Sequence, residues 1–240
     1  DGAQVRAGNI SKVAFDHGLI PYATDMRGMS EEDISNILTL ILDLSNFYWH
    51  ADRLHQGVVN HVLLNLAMER RLPTLPALTD RGIVVNTEEH FYQGISQGAI
   101  YGPTFVAVSP FIDRAHCGVS GTNYSMLLSR SKNFDSFYLV MDGSYPNRLE
   151  QAIGISFVHT LWEQTDSVSW FRVLQNPLPN TPPAEVMLVP AKGDHQVAVV
   201  TNEIVARSGV GVAVMENYDI EREVWGVEET PYPHSGSALV

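Results

Sequence analysis

Short apolar runs alternate along the chain with segments of helical periodicity. The runs that predict strands lie at residues 19–24, 90–92, 114–119, 185–191 and 211–215. Apolar positions three and four residues apart predict helices at 34–42, 51–70, 99–108 and 197–208. Strands that alternate with helices and are apolar along their length are typical of a parallel sheet covered on both faces. We therefore expect an α/β fold with a mostly parallel, doubly wound sheet.

One long segment departs from this alternation. Residues 124–170 are helical in pattern and rich in aromatic side chains, and the proline-rich stretch 176–183 leads back to the next strand. We predict that residues 124–182 form a helical, lid-like insertion at the end of the sheet. The length favours a single domain over residues 1–240. Because the chain begins at Asp1 and ends on the strand-like residues 237–240, we expect this domain to be truncated.

Composition and charge exclude several classes of function. The formal net charge is -12 and no basic run is longer than Arg70-Arg71, which argues against binding to nucleic acid. No stretch of eighteen apolar residues is present, so no membrane span is predicted. The single Cys117 excludes an intrachain disulfide and a cysteine-rich metal site. No metal and no cofactor are expected, and the compartment is left open.

The strongest candidate for chemistry is the segment Gly94-Ile95-Ser96-Gln97-Gly98, which lies between a predicted strand and a predicted helix. A serine in such a strand-to-helix turn adopts a strained backbone conformation that exposes its hydroxyl, an arrangement called a nucleophile elbow. Gly94 and Gly98 would leave room for the closely packed strand and helix. The backbone N–H of Gln97 would stabilise a developing oxyanion. The alternative is a glycine-rich turn with an ordinary serine.

A partner acid and a partner base are needed to activate such a serine. Asp194 follows a predicted strand and comes after Ser96 in the chain, as the acid of a triad does, although it would also serve as the N-cap of the next helix. His234 is the histidine that follows the last predicted strand, and it is the candidate base. It could equally be an exposed loop residue. A histidine beyond the chain is a further alternative for the base.

These motifs resemble those of the α/β-hydrolase superfamily. The resemblance rests on residues 94–98, on Gly193-Asp194 and on the turn Asp25-Met26-Arg27-Gly28, and it extends to a bacterial group of large α/β-hydrolase-like proteins. It implies a sheet of the α/β-hydrolase type, with Ser96 as nucleophile, Gln97 as oxyanion donor and Asp194 as acid. The chain departs from the family in two respects: His17-Gly18 lies too close to Asp25 to form the family's oxyanion loop, and no motif around His234 matches the family's catalytic histidine. We therefore expect the family's first strands to be absent.

The sequence thus predicts a serine hydrolase that acts on a small-molecule ester or acyl substrate through an acyl-enzyme. A catalytically silent domain of the same fold, serving in binding or structure, is the alternative from another class. Metal-dependent hydrolysis is disfavoured because no cluster of His, Asp and Glu has the spacing of metal ligands. The oligomeric state does not follow from these features.

Overall fold

The computed structural model describes residues 2–240 and has an α/β fold built around one six-stranded sheet. The strands are β1 (His90–Ile95), β2 (Ile112–Gly118), β3 (Glu185–Val189), β4 (Ala213–Met215), β5 (Glu229–Thr230) and β6 (Ala238–Leu239). The helices are α1 (Gly8–Asp16), α2 (Ile34–Leu42), α3 (Phe47–Arg71), α4 (Pro76–Thr79), α5 (Gln97–Val108), α6 (Tyr124–Leu128), α7 (Asp135–Met141), α8 (Arg148–Trp162), α9 (Phe171–Gln175) and α10 (Val200–Arg207). Short 3-10 turns at Gly2–Arg6, Glu31–Asp33, Leu44–Asn46, Leu72–Thr74, Lys132–Phe134 and Ser167–Ser169 complete the regular structure.

The strands lie in the order β1-β2-β3-β6-β4-β5, and every pair of neighbours is parallel. Strand β6 is the last in the chain yet lies between β3 and β4, which confirms the strand-like pattern near residue 240. Because all six strands run the same way, all their carboxyl-terminal ends meet at one edge of the sheet. We call it the carboxyl edge, and the opposite one the amino edge. Polar residues that follow the strands therefore gather at the carboxyl edge.

One face of the sheet carries the main core. Residues Cys117, Leu188, Val214 and Leu239 occupy one row across β2, β3, β4 and β6, and all are fully buried. They pack against apolar side chains of α5, α9 and α10, among them Phe105, Val106, Phe171, Leu174, Val205 and Ala206. Helix α5 also packs directly along β1 and β2. This layer holds the start of α5 at the carboxyl edge.

The opposite face of β1, β2 and β3 is exposed in residues 2–240. Phe91, Ile95 and Met187 on this face are 46%, 50% and 43% exposed. The expected helical cover on both faces is therefore found on one face only. The reason lies in alternation within the strands: Gln93 and Arg114 share the exposed face with these apolar residues, whereas our prediction treated the strands as apolar throughout.

The helical predictions are confirmed, with shifted ends, and one strand prediction is wrong. The helix predicted at 51–70 spans Phe47–Arg71, and the segment 124–175 is helical as expected. Residues 19–24 form no strand. They lie against α3 and the start of β1 instead, where the Tyr22 hydroxyl is 2.6 Å from Asn65 Nδ2 and 3.1 Å from His90 Nδ1. Side-chain contacts thus hold this segment in place of strand pairing.

The turn Asp25-Met26-Arg27-Gly28 is fixed by the start of the next helix. Gly28 has φ +98° and its N–H donates to the Asp33 carboxylate at 2.6 Å. Ser30 and Asp33 form a capping box at this point. Gly57 of α3 touches the turn so closely that an added Cβ would lie 2.5 Å from the Arg27 carbonyl oxygen. The turn is therefore locked between α2 and α3.

A buried histidine on α3 makes the stability of this helix layer sensitive to pH. His50 is in edge contact with Phe47 and Trp162, at ring-centroid distances of 5.4 and 5.7 Å, and burial lowers its pKa from 6.5 to about 4. Its protonation therefore favours the unfolded chain as the pH falls from 6.5 towards 4. The fold should lose about 2 kcal/mol of stability from this source between neutral pH and about pH 5.

The measurement is urea unfolding as a function of pH for wild type and His50→Phe, which keeps an aromatic ring but cannot be protonated. The variant should lose less stability on acidification than wild type. His17→Gln, which changes an exposed histidine, is the control and should follow the wild-type curve. Equal losses in wild type and His50→Phe would contradict the assignment.

Candidate functional site

Ser96 lies at the turn between β1 and α5, at the carboxyl edge. Its backbone has φ 53° and ψ -118°, a conformation that is strained for a residue with a side chain. The Ser96 N–H donates to the carbonyl of Gly118 at the end of β2, at 2.9 Å, and the Ser96 carbonyl accepts from Ala99 and Ile100 in the first turn of α5. The serine is thus held between the ends of two strands and the start of a helix, and its side chain is partly exposed.

The two glycines that flank the serine differ in their surroundings. A Cβ on Gly94 would lie 2.4 Å from the Gly98 carbonyl oxygen and 2.8 Å from the Ala99 nitrogen, so only glycine fits there. A Cβ on Gly98 would meet nothing closer than the Tyr92 hydroxyl, at 3.6 Å. The expected steric need for a glycine at 98 is therefore not found. The tight contact comes one turn later, where a Cβ on Gly102 would lie 2.3 Å from the Tyr92 ring.

Among the first N–H groups of α5, those of Ala99 and Ile100 donate to the Ser96 carbonyl, which leaves those of Gln97 and Gly98 for a ligand. In an α-helix the first-turn N–H groups have no partner within the helix, and they carry its positive dipole end. The N–H of Gln97 is the first of them, directly after the strained Ser96. The Gln97 side chain turns away to the Tyr124 hydroxyl, 2.5 Å from its Nε2. This geometry fits the expected oxyanion donor.

The loop after β2 brackets the serine turn. It begins at Val119, whose φ is 53° and whose N–H donates to the Val189 carbonyl of β3 at 2.7 Å. It ends at Asn123, with φ 58°, and at Tyr124, which contacts Gln97. Two non-glycine residues with positive φ are thus held within one short loop, and surrounding contacts must stabilise them. The loop joins the end of β2 to the helical insertion.

Asp194 lies at the carboxyl edge, as predicted. It follows β3, and its Oδ1 accepts from the N–H groups of Gln196 and Val197 at 2.6 and 3.1 Å. The carboxylate therefore caps the local turn, but it is not the N-cap of α10, which begins only at Val200. Ser96 and Asp194 thus follow β1 and β3, which are two strand spacings apart with β2 between them.

His234 lies in the connection 231–237 between the end of β5 and the start of β6. It precedes β6, and the neighbouring Ser237 hydroxyl accepts from the N–H of Val186 at 3.0 Å, near the start of β3. The Ser237 carbonyl accepts from Ala213, the first residue of β4, at 3.0 Å. A strand of five residues separates the two edges by roughly 15 Å. The residue directly before β6 thus lies at the amino edge, while the Tyr232 N–H donates to Glu216 Oε1, beyond the end of β4, at 3.3 Å. His234 lies between these two points and has no hydrogen bond to Ser96 or Asp194 in residues 2–240.

Two other histidines lie near the carboxyl edge. His116 is in β2 on the exposed face, and its Cε1 would be 3.4 Å from a Cβ placed on Gly118, the residue that binds the Ser96 N–H. His195 follows Asp194 and its carbonyl accepts from the Lys132 N–H at 2.8 Å. In the part of the chain described, no hydrogen bond joins Ser96 to a histidine.

Other groups near the site do not offer an alternative chemistry. Cys117 is opposite Gly94 in the sheet, and burial raises the pKa of its thiol to about 12, so it is inert as a nucleophile. Among residues 2–240 no group of three His, Cys, Asp or Glu side chains could hold a metal ion. No helix described here is long and apolar enough to cross a bilayer. A surface groove of about 590 Å³ is lined by α6, α7 and α8 residues such as Ser125, Tyr138 and Arg148, and not by Ser96.

In comparisons with known proteins, the chain matches no protein-family model, no curated protein and no solved structure. What the site can do is therefore inferred from its own geometry.

Proposed function

We propose that this chain carries the nucleophile and acid of a serine hydrolase of the α/β-hydrolase type, acting on carboxylic esters. The observation that carries the proposal is the backbone of Ser96, which has positive φ at the junction of a parallel strand and a helix. That conformation is costly for serine, and it is typical of nucleophile elbows. An ordinary glycine-rich turn would place glycine, not serine, at the strained position.

The arrangement of strands supports the same class. The nucleophile candidate follows β1 and the acid candidate Asp194 follows β3, with β2 between them and all three strands parallel. In hydrolases of this class the nucleophile precedes the acid in the chain, and both lie at strand ends. In this proposal residues 124–182 are the cap of the site.

The chemistry follows the acyl-enzyme route. The Ser96 Oγ attacks the acyl carbon as a base removes its proton, and the Gln97 N–H stabilises the oxyanion of the tetrahedral intermediate. The alcohol leaves with a proton from that base, and water then hydrolyses the acyl-enzyme. Asp194 orients the imidazole and stabilises its charged form. Of the histidines in this chain, His116 and His195 join His234 as candidates for the base.

A binding or structural module of the same fold is the second candidate. The specific observation in its favour is that Ser96 has no histidine partner in residues 2–240, so proton transfer lacks an assigned group. In that case the strained turn would present its backbone N–H groups to a ligand, and Ser96 would show no special reactivity.

The test is covalent labelling with a fluorophosphonate, which reacts with activated serines. Wild-type protein should be labelled at Ser96, as identified by peptide mass, and Ser96→Ala should lose essentially all labelling because the nucleophile is absent. Ser120→Ala is not a suitable control, since Ser120 is buried; Ser35→Ala, at an exposed serine of α2, is. It should be labelled like wild type.

Absence of Ser96-dependent labelling in the folded wild-type protein would reject the hydrolase and leave the binding module. Labelling followed by release of p-nitrophenol from p-nitrophenyl acetate, again dependent on Ser96, would extend the proposal from reactivity to turnover.

A further inference from the structure

One buried carboxylate of the helical insertion holds the loop after β2 in place. Asp166 lies between α8 and α9, and its side chain is fully buried. Its Oδ1 accepts from the Asn123 N–H at 3.0 Å and its Oδ2 from the Tyr124 N–H at 2.6 Å. Oδ1 also accepts from Val168 at 3.1 Å. Two consecutive N–H groups of the loop thus depend on two different oxygen atoms of one side chain.

These contacts continue to the residue that follows the nucleophile. The N–H held by Asp166 belongs to Tyr124, whose ring stacks on Trp162 at a centroid distance of 4.2 Å and an angle of 11°. The hydroxyl of the same tyrosine contacts Gln97 Nε2 at 2.5 Å. Burial raises the pKa of Tyr124, so this hydroxyl stays protonated. Tyr124 therefore joins Asp166 to the first residue of α5.

At its other end the loop is tied to the serine itself. The chain that ends at Tyr124 starts from Gly118, whose carbonyl accepts from the Ser96 N–H. The loop and the elbow therefore form a closed ring of contacts, joined at Gly118 on one side and at Gln97 on the other. Asn123, whose backbone has a left-handed conformation, lies within this ring and donates its N–H to Asp166. Loss of the hydrogen bond to Asp166 would release Asn123 and let the ring relax.

We propose that Asp166 is a positioning residue for the elbow: it fixes the loop 119–124 and, through Tyr124, the orientation of Gln97 beside Ser96. This inference rests on the proposed hydrolase function. Asp166 itself touches neither Ser96 nor the expected oxyanion position; it acts through Tyr124. A carboxylate is required because an amide offers one acceptor oxygen, and its NH₂ group would face the second N–H.

The experiment compares wild type with Asp166→Asn, Tyr124→Phe and the double variant, using a fluorophosphonate and Ser96 as the labelled site. Tyr124→Phe keeps the ring stack and the Asp166 hydrogen bonds and removes only the hydroxyl that contacts Gln97. Each single variant should lower the maximal labelling rate by about 10- to 100-fold, with the probe's half-saturating concentration nearly unchanged. The double variant should be little slower than either single variant, because both act through one path.

Asp142→Asn is the matched control. Asp142 is also a hydrogen-bonded carboxylate of the insertion, 2.6 Å from Gln151 Nε2, but it has no contact with the loop 119–124. It should label at the wild-type rate. If Asp166→Asn is slow because the fold is damaged while Tyr124→Phe labels like wild type, the positioning role is rejected. Independent, multiplying effects of the two substitutions would reject it as well.

Hydrogen exchange separates this inference from the proposed function. The amides of Ala99 and Ile100 both donate to the Ser96 carbonyl, and they should exchange faster in Asp166→Asn than in Asp142→Asn under native conditions. If wild type is not labelled at all, the hydrolase proposal fails, and the exchange rates still decide whether Asp166 holds the elbow. Unchanged exchange at both amides would overturn the inference.

Discussion

Gly94→Ala should unfold the elbow and abolish labelling of Ser96. The added Cβ would lie 2.4 Å from the Gly98 carbonyl oxygen and 2.5 Å from the Gly98 carbonyl carbon, which are backbone atoms of the first turn of α5. Neither the helix nor the strand can move away cheaply, because α5 packs along β1 and β2 and Ala99 is fully buried. We expect a loss of about 3 kcal/mol or more in the free energy of unfolding, comparable to severe overpacking of a core.

Gly98→Ala provides the matched comparison, with the same change of one methyl group four residues later. Its Cβ would make only an ordinary contact, 3.6 Å from the Tyr92 hydroxyl, and Gly98 is within a helix, where alanine is favoured. This variant should be as stable as wild type, or more stable by about 0.5–1 kcal/mol. Urea unfolding and the labelling rate measure both effects. Equal destabilisation by the two substitutions would contradict the difference between the two glycines.

The same pair of glycines shows how far the sequence could predict the site. The spacing around Ser96 correctly indicated a turn between strand and helix, because that information is local and lies in five consecutive residues. It could not show which glycine is crowded, since this depends on how closely α5 approaches β1: Gly94 faces the Gly98 carbonyl, whereas Gly98 faces only the Tyr92 hydroxyl. Likewise, Asp166 carries no local signal, because the residues that it binds, Asn123 and Tyr124, are more than forty positions earlier in the chain.

For the fold, too, the features set by neighbouring residues were predicted and those set by distant residues were not. Helices were predicted well because their periodicity extends over several turns, as in α3. The residues 19–24 have the apolar composition of a strand, but nothing local reveals that Tyr22 binds Asn65 in place of a neighbouring strand. The histidine partner of Ser96 could not be predicted from the sequence, because the path of residues 231–237 depends on β6 lying in the middle of the sheet.

Asp33→Asn should lower the free energy of unfolding by about 3 kcal/mol, because Asp33 holds the turn 25–28 on which the resemblance to α/β-hydrolases partly rests. The Asp33 side chain is fully buried and pairs with Arg53 of α3, while Gly28 and Ser30 donate to its other oxygen. Although burial alone would raise the pKa of this carboxyl, the hydrogen bonds from Ser30, Arg53 and Gly28 hold it below its usual range. An amide would leave the guanidinium without its counter-charge, and breaking a buried pair costs about 3–5 kcal/mol. We expect the lower value because Arg53 is 29% exposed and can turn towards water.

The pH dependence of this loss distinguishes a charge effect from a packing effect. A carboxyl whose pKa is lowered in the folded state stabilises the fold above its unfolded pKa, and this contribution disappears as the pH falls through the folded value. The stability difference between wild type and Asp33→Asn should therefore be largest at neutral pH and shrink in acid. Asp43→Asn is the control, since Asp43 caps the turn Leu44–Asn46 in the same way but is exposed and has no cation. Its effect should be small, and a pH-independent loss in Asp33→Asn would show that the Arg53 pair does not stabilise the turn through charge.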